Sequence, residues 1–272
     1  MALTLDALLA ALPSAERDLY KASISAEGAG TWASLWKATG IPAAGATPPA
    51  FGSGGPYVPT RATTGALGQA NPAGGLARYL ANANLAATSV GSLIIYDRLW
   101  ACSGFGTVVT TAQNVVSGGT LPAGRLPNGN ADVGMWLEVY TAPGATGATW
   151  TITAPDGGGT SRAYTYTHPA NAETVNQMMP VVPPAAAAAG VGVPTSFQAS
   201  GTSGTAGDIG ITLMRRLAAI PFPLANAGVA LDAFALGAAQ VFDDSCLAFA
   251  WQCSTISTPI LLGSISLPAM TP

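Results

Sequence analysis

The sequence predicts a mainly β protein, an antiparallel β-sandwich or jelly-roll-like barrel with a short N-terminal helix and an extended arm. Beyond about residue 60, apolar and polar residues alternate with a period of two, and Gly, Pro and Asn turns interrupt the chain at fairly regular spacing. The 272 residues suffice to bury a substantial core. No repeat of about 20 to 50 residues is present, which argues against a propeller or a solenoid.

Residues 1–58 are predicted to form the N-terminal helix, the arm and a linker. Thr4 is a suitable N-cap, leucines follow at helical spacing, and Pro13 ends the segment. The candidate contact residues of this helix are Leu5, Leu8, Leu9 and Leu12. These leucines either close the bottom of the core or dock on a neighbouring molecule.

The arm that follows carries two tryptophans. Trp32 and Trp36 are four residues apart and share a face, with Leu35 between them. Aromatic anchors of this kind suit an interface, although the same side chains could cover the edge of the core of their own domain. The Pro- and Gly-rich text from Pro42 to Pro56 predicts an irregular linker, so the compact domain is predicted over 59–272.

Seven segments of the compact domain are predicted to be strands: 76–88, Val90–Ala101, Val133–Tyr140, Ala148–Ala154, Ser161–Thr167, Ile209–Leu217 and Ser245–Thr255. Residues 76–88 also fit a helix, but we favour a strand that forms a hairpin with 90–101. Short Gly-rich turns join the three strands between 133 and 168, which predicts a three-stranded meander. The uncharged loops at 183–207 are expected on the surface.

Charge is unusually sparse. The chain has 10 Lys and Arg and 13 Asp and Glu, or 8% charged residues, where about 25% is usual. Because a free monomer normally covers its surface with mixed charge, this deficit predicts a subunit of an assembly. Lys21 and Lys37 are the only lysines and the net charge is −3, so no basic stripe for nucleic acid is expected.

Hydropathy and targeting signals point away from a membrane. The apolar stretches around 185–193 and 217–231 are short and interrupted by prolines, so no transmembrane helix is predicted. The first positive charge is Arg17, which leaves the N-terminus without the basic region of a signal peptide. We therefore expect synthesis in a host cytoplasm and no membrane partner.

No motif predicts a cofactor or a metal. The three cysteines, Cys102, Cys246 and Cys253, lack the paired spacing of a zinc site and are predicted to be buried free thiols. His168 is the single histidine and is expected at a strand end on the surface. Neither lysine follows a phosphate-binding glycine loop, so nucleotide binding has no support.

Carboxylate pairs are the one enzymatic chemistry that the sequence leaves open. A sugar hydrolase needs two carboxylates, which Glu138 with Asp132 or Asp156 could supply. Asp243 and Asp244 are adjacent, so a turn before a strand explains them better than a catalytic pair. The expectation is a protein without enzymatic activity.

Two stretches of sequence resemble structural proteins of tailed-bacteriophage particles. One comprises Leu3–Leu12, Tyr20–Ser23 and Trp32–Gly40, and the other is Leu93–Gly104. The resemblance covers about half of the chain and includes no catalytic motif. It implies membership of the virion, and proteins similar to this one are often β-rich homo-oligomers that decorate the head lattice or lie at the neck and tail.

The function expected from these observations is that of a capsid decoration, or cement, protein of the virion. The β domain would form a homotrimer, and the N-terminal segment would bind the major capsid protein. An alternative is a neck, tail or fibre component, in which loops 118–130 and 183–207 contact partners or host glycans. A third interpretation is a polysaccharide depolymerase that uses Asp132, Glu138 or Asp156.

Overall fold

The computed structural model describes residues 6, 12, 15–22, 28–55, 57–171, 173–256 and 258–271. This part of the chain is mainly antiparallel β structure, as predicted, and contains no helix of seven or more residues. The predicted N-terminal helix, with Leu5, Leu8 and Leu9, lies outside the described residues, apart from Asp6 and Leu12. Over the same ranges, no helix has the length and apolarity needed to cross a membrane.

Within the described ranges, the regular structure comprises nineteen strands and a short 3-10 helix at Ala123–Arg125. The strands are β1 Glu16–Ala22, β2 Trp32–Ser34, β3 Thr39–Ile41, β4 Ala77–Tyr79, β5 Asn82–Ala87, β6 Gly91–Gly106, β7 Gln113–Asn114, β8 Pro127–Asn130, β9 Val133–Thr141, β10 Ala148–Pro155, β11 Ser161–His168, β12 Gln177–Pro180, β13 Ser196–Ala199, β14 Asp208–Phe222, β15 Ala227–Asp232, β16 Gln240–Val241, β17 Leu247–Cys253, β18 Leu261–Ser266 and β19 Ala269–Met270.

The chain divides into two compact units, and each has a core of its own. Unit 1 comprises the described residues up to Ala46, Thr60–Asp97 and the chain from Arg216 onward, whereas unit 2 comprises Thr47–Pro59 and Arg98–Arg215. The division falls within the two longest strands, β6 and β14. Strands β2, β6, β9, β12, β14 and β17 belong to a closed barrel, in agreement with the predicted fold class.

Unit 1 contains a five-stranded antiparallel sheet in the order β15-β5-β18-β1-β3. Strands β4, β16 and β19 form a second, smaller sheet, and β17 pairs with both β2 and β6. Alternate residues of these strands point inward to a shared core, which includes Leu19, Leu85, Trp251 and Ile265. The other face of the five-stranded sheet is therefore free to carry exposed side chains.

Unit 2 contains a four-stranded sheet in the order β11-β10-β13-β7, while β9 pairs with β12 and β14. Aromatic side chains dominate its core. Phe105 and Phe197 lie with ring centroids 5.1 Å apart, and Trp150 packs on Phe197 at 5.9 Å. Small buried residues such as Ala154 and Ala199 lie beside these large rings, and together they fill the interior of unit 2.

Most predicted strands are confirmed, but several predicted pairings are wrong. Residues 76–88 do form strands, β4 and β5, yet β5 pairs with β15 and β18 rather than with β6. The β10–β11 hairpin forms as predicted, with Trp150 opposite Tyr166. Strand β9, however, pairs with distant β12 and β14, so the three-stranded meander is wrong. The turn residues predicted pairing between strands that are consecutive in the sequence. In the structure, β5 and β9 pair instead with strands from distant parts of the chain.

The arm and linker predicted over 1–58 also differ from the structure. Residues of the arm form β1, β2 and β3, which are integral strands of unit 1, and the irregular linker residues 47–59 pack in unit 2. The indole of Trp36 donates a hydrogen bond to the carbonyl of Ala46 at 2.8 Å. Gly45 lies against the same ring, where an added Cβ would approach it to 2.3 Å. The arm is thus fastened to the core of its own unit.

Replacement of Trp251 tests the core of unit 1. This side chain is fully buried, contacts Phe222 with ring centroids 5.5 Å apart, and has no described partner for its indole N–H. We expect Trp251→Ala to lower the free energy of unfolding by about 3–5 kcal/mol, because it leaves a cavity. The control Ile256→Ala, at a side chain that is 75% exposed, should change it by less than about 0.5 kcal/mol. Urea unfolding followed by near-ultraviolet circular dichroism measures both, and equal effects would contradict the assigned burial.

Candidate functional site

An exposed row of apolar residues crosses the outer face of the five-stranded sheet. Tyr20 on β1 lies opposite Ile41 on β3 and Leu262 on β18. Leu262 lies opposite Ala86, and Ala86 opposite Gly228, so the row continues across β5 and β15. Adjacent strands are about 4.8 Å apart, which makes the row about 19 Å long. We call these five residues the apolar row.

The exposure of this row follows from strand alternation. Leu19 and Lys21 are buried on the inner face, and Tyr20 between them is 43% exposed. Leu261 is buried, while Leu262 is 48% and Ile41 is 49% exposed. Three large apolar side chains on three adjacent strands form a continuous patch, and such patches on a charge-poor surface are typical of interaction sites.

A polar row borders the apolar row on the same face. Asp18 lies opposite Ser264, and Ser264 lies opposite Asn84. The Ser264 hydroxyl donates a hydrogen bond to the carboxylate of Glu16. The outer face therefore presents an apolar centre with acidic and uncharged polar side chains along one border.

Lys21 holds the edge strand that carries Ile41. Its side chain is fully buried, and its Nζ donates hydrogen bonds to the carbonyls of Ala38 at 3.0 Å and Pro42 at 2.8 Å. These carbonyls lie on either side of β3, so one amine fixes both ends of the strand. Burial lowers the pKa of Lys21 to about 8, because the charged ammonium loses hydration.

The described residues of the predicted interface, Leu12, Trp32, Leu35 and Trp36, do not belong to the apolar row. Leu12 is half-buried and packs on a small cluster that includes Met270, in agreement with the core-closing interpretation. Trp32 is half-buried on β2, and Leu35 and Trp36 are buried in unit 1. Leu35 and Trp36 are therefore not exposed anchors, because inward packing and the Trp36–Ala46 hydrogen bond use these side chains within the chain.

Sequence reasoning missed the apolar row because its members come from five strands far apart in the sequence. The available signal was the alternation Leu19-Tyr20-Lys21, in which a large aromatic residue must point away from its neighbours. Alternation alone cannot specify which strands will stand beside β1. The patch therefore exists only once the sheet has assembled.

Glu138, a candidate catalytic carboxylate, is sealed inside unit 2. Arg98 binds it with two hydrogen bonds, from Nη1 to Oε1 at 2.9 Å and from Nη2 to Oε2 at 2.6 Å. Tyr140 and Thr212 also donate to Oε2. Burial disfavours the charged carboxylate, but the Arg98 charge and these hydrogen bonds outweigh it, so the pKa of Glu138 lies below its usual range.

The other candidate carboxylates have structural partners of their own. Asp156 accepts hydrogen bonds from the backbone N–H groups of Gly158, Thr160 and Ala188 and from Nε of Arg162. The Arg162 hydrogen bond makes the largest contribution in lowering the pKa of Asp156 to about 2. Asp132 accepts from the amide of Asn128 at 2.6 Å. These contacts hold the turns that contain Asp156 and Asp132.

Asp243 and Asp244 occupy the predicted turn before β17. Asp244 adopts a left-handed backbone conformation, with φ of 59°. Its carboxylate forms an exposed ion pair with Arg61 at 3.1 Å and accepts a hydrogen bond from Asn71. The turn interpretation of this acidic pair agrees with these contacts.

His168 is buried, which corrects the prediction of a surface histidine. One ring nitrogen, Nε2, lies 2.9 Å from the carbonyl of Gly144, and Nδ1 lies 2.6 Å from a carboxylate oxygen of Glu173. The ring also stacks on Trp150 with centroids 4.7 Å apart. The loop after β11 returns Glu173 to the His168 ring at the end of the strand.

The cysteines are buried free thiols, as predicted. Burial raises the pKa of Cys102 above its usual range, so its thiol stays protonated at neutral pH. Across the ranges that the structure describes, no three His, Cys, Asp or Glu side chains come together to hold a metal ion.

A groove in unit 2 brings the two predicted contact loops together. It has a volume of about 460 Å³ and is lined by Thr120, Leu121, Leu126, Asn130 and Val193, among others. The lining residues come from 119–130 and 192–193, together with Pro155, and carry no ionisable group. Such a surface suits an uncharged, apolar ligand segment.

No family model matches the chain, and no curated protein or solved structure matches it either.

The buried Arg98–Glu138 pair predicts that removal of Arg98 alone destabilises the protein more than removal of both partners. Arg98→Met should lower the free energy of unfolding by about 3–5 kcal/mol, because it leaves a buried carboxylate without its cation. The double variant Arg98→Met with Glu138→Leu should recover much of this loss, since no charge remains buried. The matched control Arg61→Met removes an exposed pair and should cost less than about 1 kcal/mol. Chemical denaturation tests the cycle, and a double variant no more stable than Arg98→Met would refute this explanation.

Lys21 predicts a specific pH dependence of stability. Because its pKa is near 8 when folded and near 10.5 when unfolded, the unfolded chain binds more protons between these values. The contribution of Lys21 to stability should therefore be constant below about pH 8 and should increase as the pH rises from 8 towards 10. The difference in unfolding free energy between wild type and Lys21→Met, measured from pH 7.5 to 9.5, isolates this contribution from the tyrosines and Cys102. A difference independent of pH would contradict the assignment.

Proposed function

We propose that this protein is a structural subunit of a tailed-bacteriophage particle, without enzymatic activity, which decorates the head by binding the major capsid protein. The observation that carries the proposal is the apolar row on the outer face of the five-stranded sheet, where Tyr20, Ile41 and Leu262 are each about half exposed. The sequence resemblance provides the class of particle, and the row provides a surface for contact with it.

The distribution of charge supports an assembled surface. Among the charged residues that the structure describes, nine are buried: Lys21, Arg78, Asp97, Arg98, Arg125, Glu138, Asp156, Glu173 and Arg215. The solvent-facing surface is consequently even poorer in charge than the composition alone indicates. A surface of this kind loses little hydration when a partner covers it.

One copy of the row would contribute only a weak contact. Complete burial of a large apolar side chain is worth about 1.5–3 kcal/mol, so three half-exposed side chains contribute about 3 kcal/mol in all. A lattice presents many identical sites, and linked copies would gain avidity from the array. A protein that binds only the assembled lattice would then stabilise the shell by mass action.

The groove in unit 2 supports the second candidate, a neck, tail or fibre component. It unites the loops at 119–130 and 192–193 in one concave surface. Its lining has no aromatic ring on which a sugar could stack, so a protein segment fits it better than a host glycan. The depolymerase candidate has less support, because Arg98, Tyr140 and Thr212 already occupy the Glu138 carboxylate.

The proposal predicts that charge in the apolar row weakens particle binding. We expect Tyr20→Asp with Leu262→Asp to reduce co-sedimentation with capsids at least tenfold, because the acidic side chains would be desolvated in the contact. Val182→Asp is the matched control, since Val182 is 71% exposed but lies in unit 2. Point substitutions are preferable to deletion of 1–58, which would remove β1, β2 and β3 from the sheets.

The copy number in purified particles separates the candidates. Hundreds of copies per particle, counted by quantitative mass spectrometry against the major capsid protein, would support head decoration. A dozen or a few dozen copies would favour the neck, tail or fibre. Absence from particles would overturn the proposal that this protein is a virion subunit. Unchanged binding by the double variant would overturn the proposal that the apolar row is the binding surface.

A further inference from the structure

Strand β15 is an edge of the five-stranded sheet, and a single charge at its last position, Asp232, is the only residue in it that would protect an edge. Its sequence, Ala-Gly-Val-Ala-Leu-Asp, contains no lysine and no proline, and its pairing with β5 is continuous from Ala227 to Asp232. Among the described residues, no strand pairs with its outer side. Natural edge strands usually carry a charge, a proline or a bulge, because unprotected edges pair with other chains.

Two strongly exposed apolar side chains flank this strand. Leu224, in the turn before β15, is 66% exposed, and Phe234, in the turn after it, is 86% exposed. The turn that carries Leu224 is fixed by a hydrogen bond from the N–H of Asn226 to the carbonyl of Ala87 at 2.7 Å. The turn that carries Phe234 is fixed by a hydrogen bond from the N–H of Ala235 to Asp232 at 2.9 Å.

The flanking residues are symmetric about the centre of the strand. Leu224 and Phe234 are each five residues from Val229. In an antiparallel pair of identical strands, a two-fold axis passes between a residue and its own copy, and residues equidistant from that position lie opposite each other. An axis at Val229 would therefore place the turn that carries Leu224 in each copy beside the turn that carries Phe234 in the other.

We infer that β15 pairs with β15 of a second copy of this chain, in antiparallel orientation about Val229, so that the two five-stranded sheets join edge to edge. The partner is a second copy because the strand is complementary to itself. Asp232, the one charge in it, falls opposite Asn226 and not opposite another acid. The exposed Leu224 of each copy would pack near Phe234 of the other copy, so this contact would form twice, once on each side of the axis.

This inference goes beyond the proposed function and does not depend on it. A two-fold contact of this kind produces dimers, or larger closed assemblies if a second contact is added. It is not the contact of a simple homotrimer, which the sequence had led us to expect. A three-fold ring would require β15 to pair with a different edge of the neighbouring copy.

The first test is the mass of the full chain in solution, measured by sedimentation equilibrium. The monomer mass is 27.0 kDa, and we expect twice this value at micromolar concentrations. Leu224→Asp with Phe234→Asp should raise the dissociation constant at least tenfold, because four carboxylates would meet at the contact. Val182→Asp, equally exposed but outside the edge, should leave it unchanged. A monomer at all concentrations, or a dimer that the double variant does not weaken, would overturn the inference.

A cross-linking test determines the register without relying on charge. Residues directly opposite each other in an antiparallel pair have Cα atoms about 4.5–5.5 Å apart, within the range that a disulfide spans. Val229→Cys should therefore form a covalent dimer under mild oxidation, whereas Ala227→Cys, which would lie opposite Leu231, should not. The native cysteines are buried and serve as the unreactive background. Equal cross-linking by both variants, or none by Val229→Cys, would exclude the proposed register.

Discussion

The buried charges of this protein act as internal ties, and the rest of the structure depends on them. The chain has few charged residues, and the Arg98–Glu138 pair, Lys21 and Asp156 are all buried. Each satisfies backbone or side-chain groups that would otherwise be unpaired inside a β fold. Because these charged residues are buried, the outer surface of the strands presents mainly apolar, hydroxyl and amide groups. Such a surface has little charge to oppose association with other molecules.

The two units use these ties differently. In unit 2, Arg98 on β6 and Glu138 on β9 form a bidentate, fully buried pair across the intervening strand β14, so that removal of one partner is far more costly than removal of both. In unit 1, Lys21 fastens the short strand β3 through two carbonyls. The same strand places Ile41 beside Tyr20, so a buried lysine supports the surface that we propose to bind the capsid.

The face and the edge of the five-stranded sheet offer two distinct kinds of contact. The apolar row is a face, suited to a broad partner surface, while β15 is an edge, suited to main-chain hydrogen bonds with another strand. A subunit that joins its own copies through an edge would keep its sheet faces free for the lattice. This arrangement lets self-association and particle binding be altered by separate substitutions.

Period-two alternation and turn residues are local signals, so the fold class and most of the strands could be predicted from the sequence. The β10–β11 hairpin followed from its Gly-rich turn, and the buried thiols followed from the cysteine spacing. Only the tertiary structure decided the rest. The pairing of β5 with β18 and the packing of Trp36 in one cluster with Cys246 and Ala248 join residues distant in sequence. The apolar row likewise required five strands to be placed side by side. The choice of pairing partners depends on the apolar surface that all the strands of a sheet bury together. A local stretch of sequence does not contain that information.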